Sequence, residues 1–200
     1  MEFKEVLEQR RSVKSYEPYE LDKETINNLL DQAALSPSAW NLQQWKVIVA
    51  QSDEAKEKLY QASNKQIKVK EASATFIILG DLKAHETIED VADDWIEHNH
   101  IPADKKDGLI SSVNTFFEST TNQRDEAVRG ASLFAMSLML ASENAGFATC
   151  PMIGFNKQAV IDEFNIEDHL VPAMLITIGK GEMTNDRASR IPAETFAKFE

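Results

Sequence analysis

Two apolar runs that do not alternate with polar residues constrain the fold of this chain most. TFIILGD, from Thr75 to Asp81, is rich in β-branched residues and closes on a glycine, and VPAMLITIG, from Val171 to Gly179, has a similar character. Both patterns predict strands that are buried on both faces. Shorter apolar runs, WKVIVA (45–50) and FATC (147–150), predict two further strands. A sheet of such strands needs helices on both faces.

Helical patterns occupy most of the remaining chain. Capping residues mark several starts, because Asp and Asn side chains accept hydrogen bonds from the first backbone N–H groups of a helix. We therefore expect an α+β fold in one domain, residues 1–200, with a central, mostly antiparallel sheet flanked by helices. The predicted helices cover the first ten residues, the segment after Asp22 that ends before Pro37, the segment capped by Asp53, residues 84–98, 104–118 and 125–144 with Gly146 as the stop, and the segment from Asn156 to Phe164.

Charge and composition exclude several functional classes. The formal net charge is −12, from 21 basic and 33 acidic residues, so general binding to nucleic acid or anionic lipid is not expected. The most apolar segment, Ala131–Ala141, is shorter than the roughly 20 residues of a membrane span and predicts a helix buried on nearly all sides. We expect a cytoplasmic protein. Cys150 is the only cysteine, which leaves no disulfide framework and no thiolate metal site.

A basic cluster, RRSVK from Arg10 to Lys14, follows the first predicted helix. In an extended chain Arg10, Ser12 and Lys14 point to one side, and two cations with a hydroxyl suit an anion such as a phosphate. The alternative is a solvated charge run whose cations favour a helix C-terminus.

The loop SPSAWNLQQW, from Ser36 to Trp45, carries many neutral polar groups between a helix and a strand. Ser38, Asn41 and Gln43 suit a polar, neutral heterocycle or polyol, and Trp40 and Trp45 could form flat apolar walls. The alternative is a turn in which the tryptophans fill the core.

Two more segments have both a functional and a structural interpretation. PMIGF (151–155) follows a predicted strand, and its glycine lets backbone N–H groups approach a ligand closely. DRASR (186–190) is a second basic segment. Each is also compatible with an ordinary turn or a solvated surface. The chain shows neither a phosphate loop of the GxGxxG or GxxxxGK[ST] type nor an evident nucleophile or metal-ligand set, so if it is an enzyme we expect a cofactor to carry the chemistry.

In this order and spacing, RRSVK, SPSAWNLQQW, PMIGF and RASR resemble the motifs of the FMN-dependent nitroreductase family, which are RRS-x-R/K, SPS-xx-N-x-QPW, P-x-x-GF and K/R-x-R. The resemblance covers nearly the whole chain. It implies the nitroreductase fold, FMN as the cofactor, and an intertwined homodimer with two flavins at the interface.

The resemblance also implies a role for each matching position. Arg10 and Arg190 would hold the FMN phosphate, and Lys14 would stabilise the reduced flavin at its N1–C2=O edge. Ser38, Ala39 and Asn41 would come from the other subunit. The implied cofactor contacts are Arg10, Arg11, Ser12, Lys14, Pro37, Ser38, Ala39, Asn41, Gln66, Lys68, Pro151, Met152, Ile153, Gly154, Arg187 and Arg190, with no metal ligand.

Three positions depart from the family pattern. Gln44 replaces the usual proline, Lys14 replaces the commoner arginine, and Ala188 stands where lysine is frequent, so that Arg187 or Lys180 would have to supply the charge. The segment 84–118 is expected to be a variable helical excursion that covers the acceptor face, and residues 182–200 an extension that packs on the partner.

The implied activity is transfer of two electrons from NADH or NADPH through FMN to electron-poor acceptors such as nitroaromatics or quinones, with ping-pong kinetics. The alternatives are a flavoenzyme of the same fold with another acceptor, such as a dehalogenase or an enoate reductase, and a non-catalytic FMN-binding protein.

Overall fold

The structure, a computed structural model, describes residues 2–181 and 187–200. Residues 182–186, which belong to the predicted C-terminal extension and include Asp186 of DRASR, lie outside the described residues. The helices are α1 (Phe3–Gln9), α2 (Lys23–Ala33), α3 (Asp53–Ala62), α4 (Lys68–Glu71), α5 (Ile88–Glu97), α6 (Lys106–Phe117), α7 (Thr120–Asn144), α8 (Lys157–Phe164) and α9 (Ala193–Phe196). The strands are β1 (Trp45–Ala50), β2 (Ala74–Asp81), β3 (Ala148–Met152) and β4 (Leu170–Gly179).

The strands form an antiparallel sheet in the order β1-β2-β4-β3, which confirms the predicted sheet type. The two central strands are those whose runs are longest and least alternating. Their register shifts between Ile78 and Leu79, which pair with Met174 and Pro172. Proline lacks the N–H that a ladder requires, so an irregularity beside Pro172 is expected.

Helices cover both faces of the sheet, as predicted. On one face α2 and α7 pack against side chains that include Phe76 and Ile78. On the other face α3 and α8 pack against side chains that include Ile77 and Leu79. Successive side chains of β2 therefore pack into two separate hydrophobic cores, because the side chains of a strand alternate between the two faces of the sheet.

Polar caps define most helix starts, and two of the predicted starts are wrong. Asp22 and Asn156 cap α2 and α8 as expected. The cap of α3 is Ser52, whose hydroxyl accepts from Ala55 N at 3.1 Å, and Asp53 is the first helical residue. The central helix α7 begins at Thr120, five residues before the predicted start near Asp125, because Ser119 caps it. Serine is as good a cap as aspartate, so residue type alone does not rank adjacent candidates.

Helix α7 lies very close to β2 and ends at the predicted glycine. A Cβ atom on Gly80 would lie 2.6 Å from the backbone oxygen of Ala127, so only glycine fits there. Gly146 has a φ of +76°, a left-handed conformation that stops the helix.

One prediction for α7 is wrong in part. Ala131, Phe134 and Leu138 are buried, but Leu133 and Met136 are exposed. They lie on one side of the helix by their spacing. Further along α7, Leu140 and Ala141 line a cavity of about 360 Å³ together with Phe3 and Val6 of α1 and with Leu35, which follows α2. We call Phe3, Leu7, Leu35, Leu133 and Met136 the apolar face.

The excursion at 84–118 has an apolar cluster of its own, separate from the two sheet cores. Its helices, α5 and α6, agree with the predicted ones at 84–98 and 104–118, with short 3₁₀ turns preceding each. In the described part of the chain, no helix is long and apolar enough to cross a membrane.

Candidate functional site

The arm 10–14 runs as extended chain beside β3. Val13 N donates to Thr149 O at 3.0 Å, and Ser12 forms an isolated bridge with Thr149. Val13 is buried and Lys14 is exposed, whereas Arg10, Arg11 and Ser12 are all half-buried, so exposure alternates only at the end of the arm. The arm thus carries its charged side chains along the edge of the sheet.

Arg10 has a guanidinium nitrogen without a partner. Its Nη1 is shielded from solvent and makes no hydrogen bond. A buried cationic donor that lacks an acceptor is destabilising, and an anion would relieve this. The carboxylate of Glu143, at the end of α7, is close enough for Arg10 to act on its charge, but burial raises the pKa of that carboxyl.

Arg187 brings the C-terminal segment to the same place. Its Nη2 donates to Leu7 O at 2.7 Å and to Arg10 O at 2.8 Å, and so caps the end of α1. Loss of hydration lowers the pKa of the Arg187 guanidinium, and the charges of Arg11, Arg190 and Arg10 lower it further. Four guanidinium groups therefore repel one another here, and bound negative charge would stabilise them.

The other basic residues differ in how their side chains are engaged. Arg11 donates to the carbonyls of Glu8, Gln9 (3.1 Å) and Arg10 (3.2 Å) at the end of α1. Arg190 is exposed and donates to Ala188 O at 2.8 Å. Lys180 Nζ donates to Gly146 O at 2.7 Å and lies 4.2 Å from the Phe147 ring centroid. Its charge is therefore engaged by Gly146 and Phe147 rather than by the arginine cluster.

Three cations lie near enough to the buried thiol of Cys150 in β3 for their charges to act on it. Burial raises the pKa of this thiol, whereas the positive charges of Lys68, Lys14 and Arg10 act in the opposite direction. Lys68 comes from α4 and the other two from the arm, so the fold brings together basic residues more than 50 positions apart in the sequence.

The turn after β3 is open and held from one side. Ile153 is 78% exposed, and a Cβ atom on Gly154 would meet nothing within 4 Å. Gly154 O accepts from Asn64 Nδ2 at 2.9 Å and from Gln66 Nε2 at 3.0 Å, and Lys68 Nζ donates to Gln66 Oε1 at 2.6 Å. Met152 is buried and Pro151 lies within the strand, so Ile153 and Gly154 form the exposed part of PMIGF.

The loop 36–45 is strained and internally bonded. Ser38 Oγ accepts from Gln43 N at 3.0 Å, and Ser38 O accepts from Asn41 N at 3.1 Å. Trp40, Asn41 and Gln43 have φ values of +50°, +55° and +47°, in a left-handed backbone region that residues other than glycine rarely adopt. Pro37 and Asn41 are exposed, and Ala39 is half-buried.

The loop and the cations lie at opposite edges of the sheet. The loop leads into β1, at one edge, and both the arm and the open turn adjoin β3, at the other. Three strand spacings of about 4.8 Å separate these edges by roughly 14 Å. Within one chain, the structure brings together Arg10, Lys14, Gln66, Lys68, Gly154 and Arg187, but not Ser38, Ala39 and Asn41 with them.

The sequence profile of the Nitroreductase family matches residues 7–180. This chain belongs to the Nitroreductase family. The match includes RRSVK, SPSAWNLQQW and PMIGF, and it confirms the predicted resemblance.

Relatives extend the nitroreductase assignment over the full length. YodC of Bacillus subtilis, provisionally named an NAD(P)H nitroreductase, is 40% identical over 189 residues, 94% of each chain. The solved structure of the provisional nitroreductase YdfN, also from Bacillus subtilis, has a TM-score of 0.94 at 36% identity and covers 100% of this chain and 99% of its own. A nitroreductase from Exiguobacterium sibiricum, solved in complex with FMN, has a TM-score of 0.92 at 29% identity, covering 100% and 98%.

The residues of this nitroreductase fit a flavin mononucleotide. A phosphate monoester carries nearly two negative charges near neutral pH, which suits the unpaired Arg10 nitrogen and the arginines around it. Lys14 and Lys68 would lie at the ring end, beside the exposed backbone of Ile153 and Gly154. Across the described residues, no group of His, Cys, Asp and Glu is arranged to hold a metal ion.

Sequence reasoning missed two residues of this site. Asn64 supports the open turn from a left-handed conformation with φ of +55°. Asparagine adopts this conformation more readily than most residues, and this is the only signal in the sequence. The charge of Arg10 acts on Glu143 at the end of α7, and nothing in the sequence predicts that these two residues lie near one another.

Proposed function

We propose that this protein is an FMN-dependent oxidoreductase that takes two electrons from NADH or NADPH and delivers them to electron-poor acceptors such as nitroaromatics or quinones. When bound, FMN supplies the redox chemistry by accepting hydride from the nicotinamide and passing on two electrons. The residues of the chain bind the cofactor, orient it and tune its electrostatics.

One observation carries the proposal, namely the buried and unpaired Nη1 of Arg10 among three other guanidinium groups. Together they favour a doubly charged, terminal phosphate over a neutral ligand. A guanidinium also provides the fork of donors that matches phosphate oxygens. Arg10 would be the main phosphate ligand, with Arg190 beside it.

At the ring end, positive charge and exposed backbone would act together. The charges of Lys14 and Lys68 lower the pKa of the Cys150 thiol, which burial raises, so these two lysines place positive potential at β3. Such fixed charge stabilises negative charge that develops on a neighbouring group without reorganisation. Gly154 leaves room for a planar ring to approach the backbone.

A second copy of the chain would complete the site. Ser38, Ala39 and Asn41 cannot reach the cations of their own chain, because the two groups lie at opposite sheet edges. The apolar face supplies a surface for the partner, and Leu35 within it is 86% exposed. The tail side chains Phe196 and Phe199 are also exposed, which supports packing of residues 187–200 on that partner.

The absorbance spectrum of the purified protein tests the proposal. We expect a flavin spectrum after FMN addition, bleaching by NADH or NADPH, and recovery with a nitroaromatic or a quinone. Steady-state data should give parallel double-reciprocal lines, because donor and acceptor would share one open face. Bleaching without recovery by any acceptor would indicate a flavin-binding protein without turnover.

An enone should be tested as an electron acceptor beside the nitroaromatic and the quinone. A protein from Lactiplantibacillus plantarum that is named a CLA biosynthesis enone reductase is 28% identical over 201 residues. Faster reoxidation by an enone than by a nitroaromatic would favour the alternative acceptor class.

Replacing Arg10 isolates the phosphate contact. Arg10→Gln should weaken FMN binding about 10- to 100-fold, because a charged hydrogen-bond partner is lost. Riboflavin, which lacks the phosphate, should bind the variant and the parent equally. Arg124→Gln, at an exposed arginine of α7, is the matched control. Equal loss of FMN and riboflavin affinity in Arg10→Gln would contradict the assignment.

A further inference from the structure

The apolar cluster of the excursion is completed from outside it. Its buried members within the excursion are Ala84, Ile88, Val113 and Phe117, with Val91, Leu109 and Ile110 packed against them. The other members of the cluster are Leu42 and Trp40, both from the loop 36–45. The loop therefore belongs to the hydrophobic core of the excursion.

Trp40 makes the aromatic part of this contact. Its ring meets Phe116 and Phe117 nearly edge-on, with centroid distances of 5.1 and 5.8 Å. Phe117 in turn stacks on His85, at 5.0 Å and an interplanar angle of 12°. Edge-on and stacked aromatic pairs are favourable beyond the area that they bury.

The backbone at Trp40 is strained. A bulky residue at φ +50° and ψ +25° is an unfavourable conformation that persists only when its surroundings impose it. The ring packed against Phe116 and Phe117 is such a constraint. The same loop exposes Asn41, at φ +55°, for its proposed contact with the partner's cofactor.

We propose that Trp40 is a positioning residue that couples the loop 36–45 to the excursion. The excursion, which would cover the acceptor face, is then held in place by the same loop that would complete the partner's cofactor site. This inference rests on the proposed function. Both tryptophans of the loop pack against aromatic rings of their own chain. Trp45 stacks on Phe134 at 5.3 Å, and Trp40 packs against Phe116 and Phe117. Trp40 would therefore act through these neighbours.

Two variants separate the ring from the backbone. Trp40→Asn keeps a residue that tolerates the left-handed conformation but removes the ring, and Trp40→Phe keeps an aromatic ring. The first measurement is hydrogen exchange of the FMN-loaded protein, resolved for α5, α6 and α7. Trp40→Asn should speed exchange at least about tenfold in α5 and α6 and leave the centre of α7 unchanged, and Trp40→Phe should restore protection.

The second measurement is kinetic. In Trp40→Asn the KM for a quinone should rise about tenfold, while the limiting rate of flavin reduction stays within about twofold. Unchanged exchange in α5 and α6 would overturn the coupling, and so would faster exchange throughout α7 or a fall in the limiting rate of flavin reduction as large as the rise in KM. The exchange measurement needs no turnover. It would therefore still decide the coupling on the protein without FMN if the proposed function failed.

Discussion

Arg10 Nη1 and the side-chain amide of Gln44 are both buried and lack hydrogen-bond partners, but their surroundings differ. Arg10 Nη1 lies among other cations at the end of α1, and Arg10 as a whole is only half-buried. Gln44 is 1% exposed, and both polar atoms of its amide are unpaired against Gly130 of α7. The first pattern indicates a ligand, whereas the second indicates a local destabilisation where family members carry proline.

Replacing Gln44 tests this difference. Gln44→Met keeps the side-chain volume and removes the unpaired amide, so it should raise the free energy of unfolding by about 1–3 kcal/mol. Urea denaturation measures this, with exposed Gln43→Met as the control, for which no change is expected. A loss of stability in Gln44→Met would mean that an internal water satisfies the amide.

Lys14 is the residue-scale test of the electrostatics. Lys14→Met should leave the fold intact, because the side chain is exposed, and should slow flavin reduction by roughly 10- to 100-fold or weaken FMN binding. Stopped-flow absorbance measures the reduction rate. The control is Lys46→Met, on the exposed side of β1. Parental FMN affinity and reduction rate in the Lys14 variant would remove Lys14 from the mechanism.

At the scale of elements, caps and apolar runs carried the sequence predictions. Asp22 and Asn156 begin the helices that they were expected to begin, and Gly146 ends the one that it was expected to end. Their effects are local, because they depend on hydrogen bonds to nearby backbone groups or on backbone freedom. The starts placed at Asp53 and Asp125 were wrong because Ser52, next to Asp53, and Ser119, six residues before Asp125, cap these helices.

The cap of α2 should make stability depend on pH. The backbone N–H of Thr25, at 2.7 Å, and its hydroxyl lower the pKa of Asp22 below its usual value. A lowered folded-state pKa contributes stability above the unfolded pKa, and this contribution is lost as pH falls through the folded value. Asp22→Asn should therefore be less stable than the parent near neutral pH, with the difference shrinking between about pH 5 and pH 3.

Urea midpoints of both proteins across this range measure the effect. Asp53→Asn is the matched control, because Asp53 is an exposed first-turn residue that does not cap its helix. A constant difference between Asp22→Asn and the parent at every pH would show that the carboxylate charge adds nothing to the cap.

At the scale of the whole molecule, the sheet separates two halves of a proposed cofactor site. The cations adjoin β3 and the polar loop adjoins β1, so in the proposed homodimer each chain would contribute a different half to each of the two sites. The exposed apolar face on α1, α2 and α7 explains why the apolar run 131–141 is not buried all round in a single chain.

A charge in the apolar face should therefore affect assembly and cofactor together. Leu35→Glu places a carboxylate at the most exposed position of the face, so we expect a monomer by light scattering and weaker FMN binding in parallel. Ala103→Glu, on the exposed 3₁₀ turn before α6, should change neither property. A Leu35→Glu monomer that retains full FMN affinity would show that one chain holds the cofactor alone.

The sequence by itself determined the strands, most helices and the basic arm, because hydrophobic periodicity, caps and charge alternation act over a few neighbouring residues. Only the tertiary structure decided which residues meet. Lys68 and Asn64 join the arm and the open turn through packing of α4 and the loop before it, and Arg187 reaches α1 across the whole chain. Strand order also placed the polar loop at the far edge, since register and order depend on contacts between distant segments.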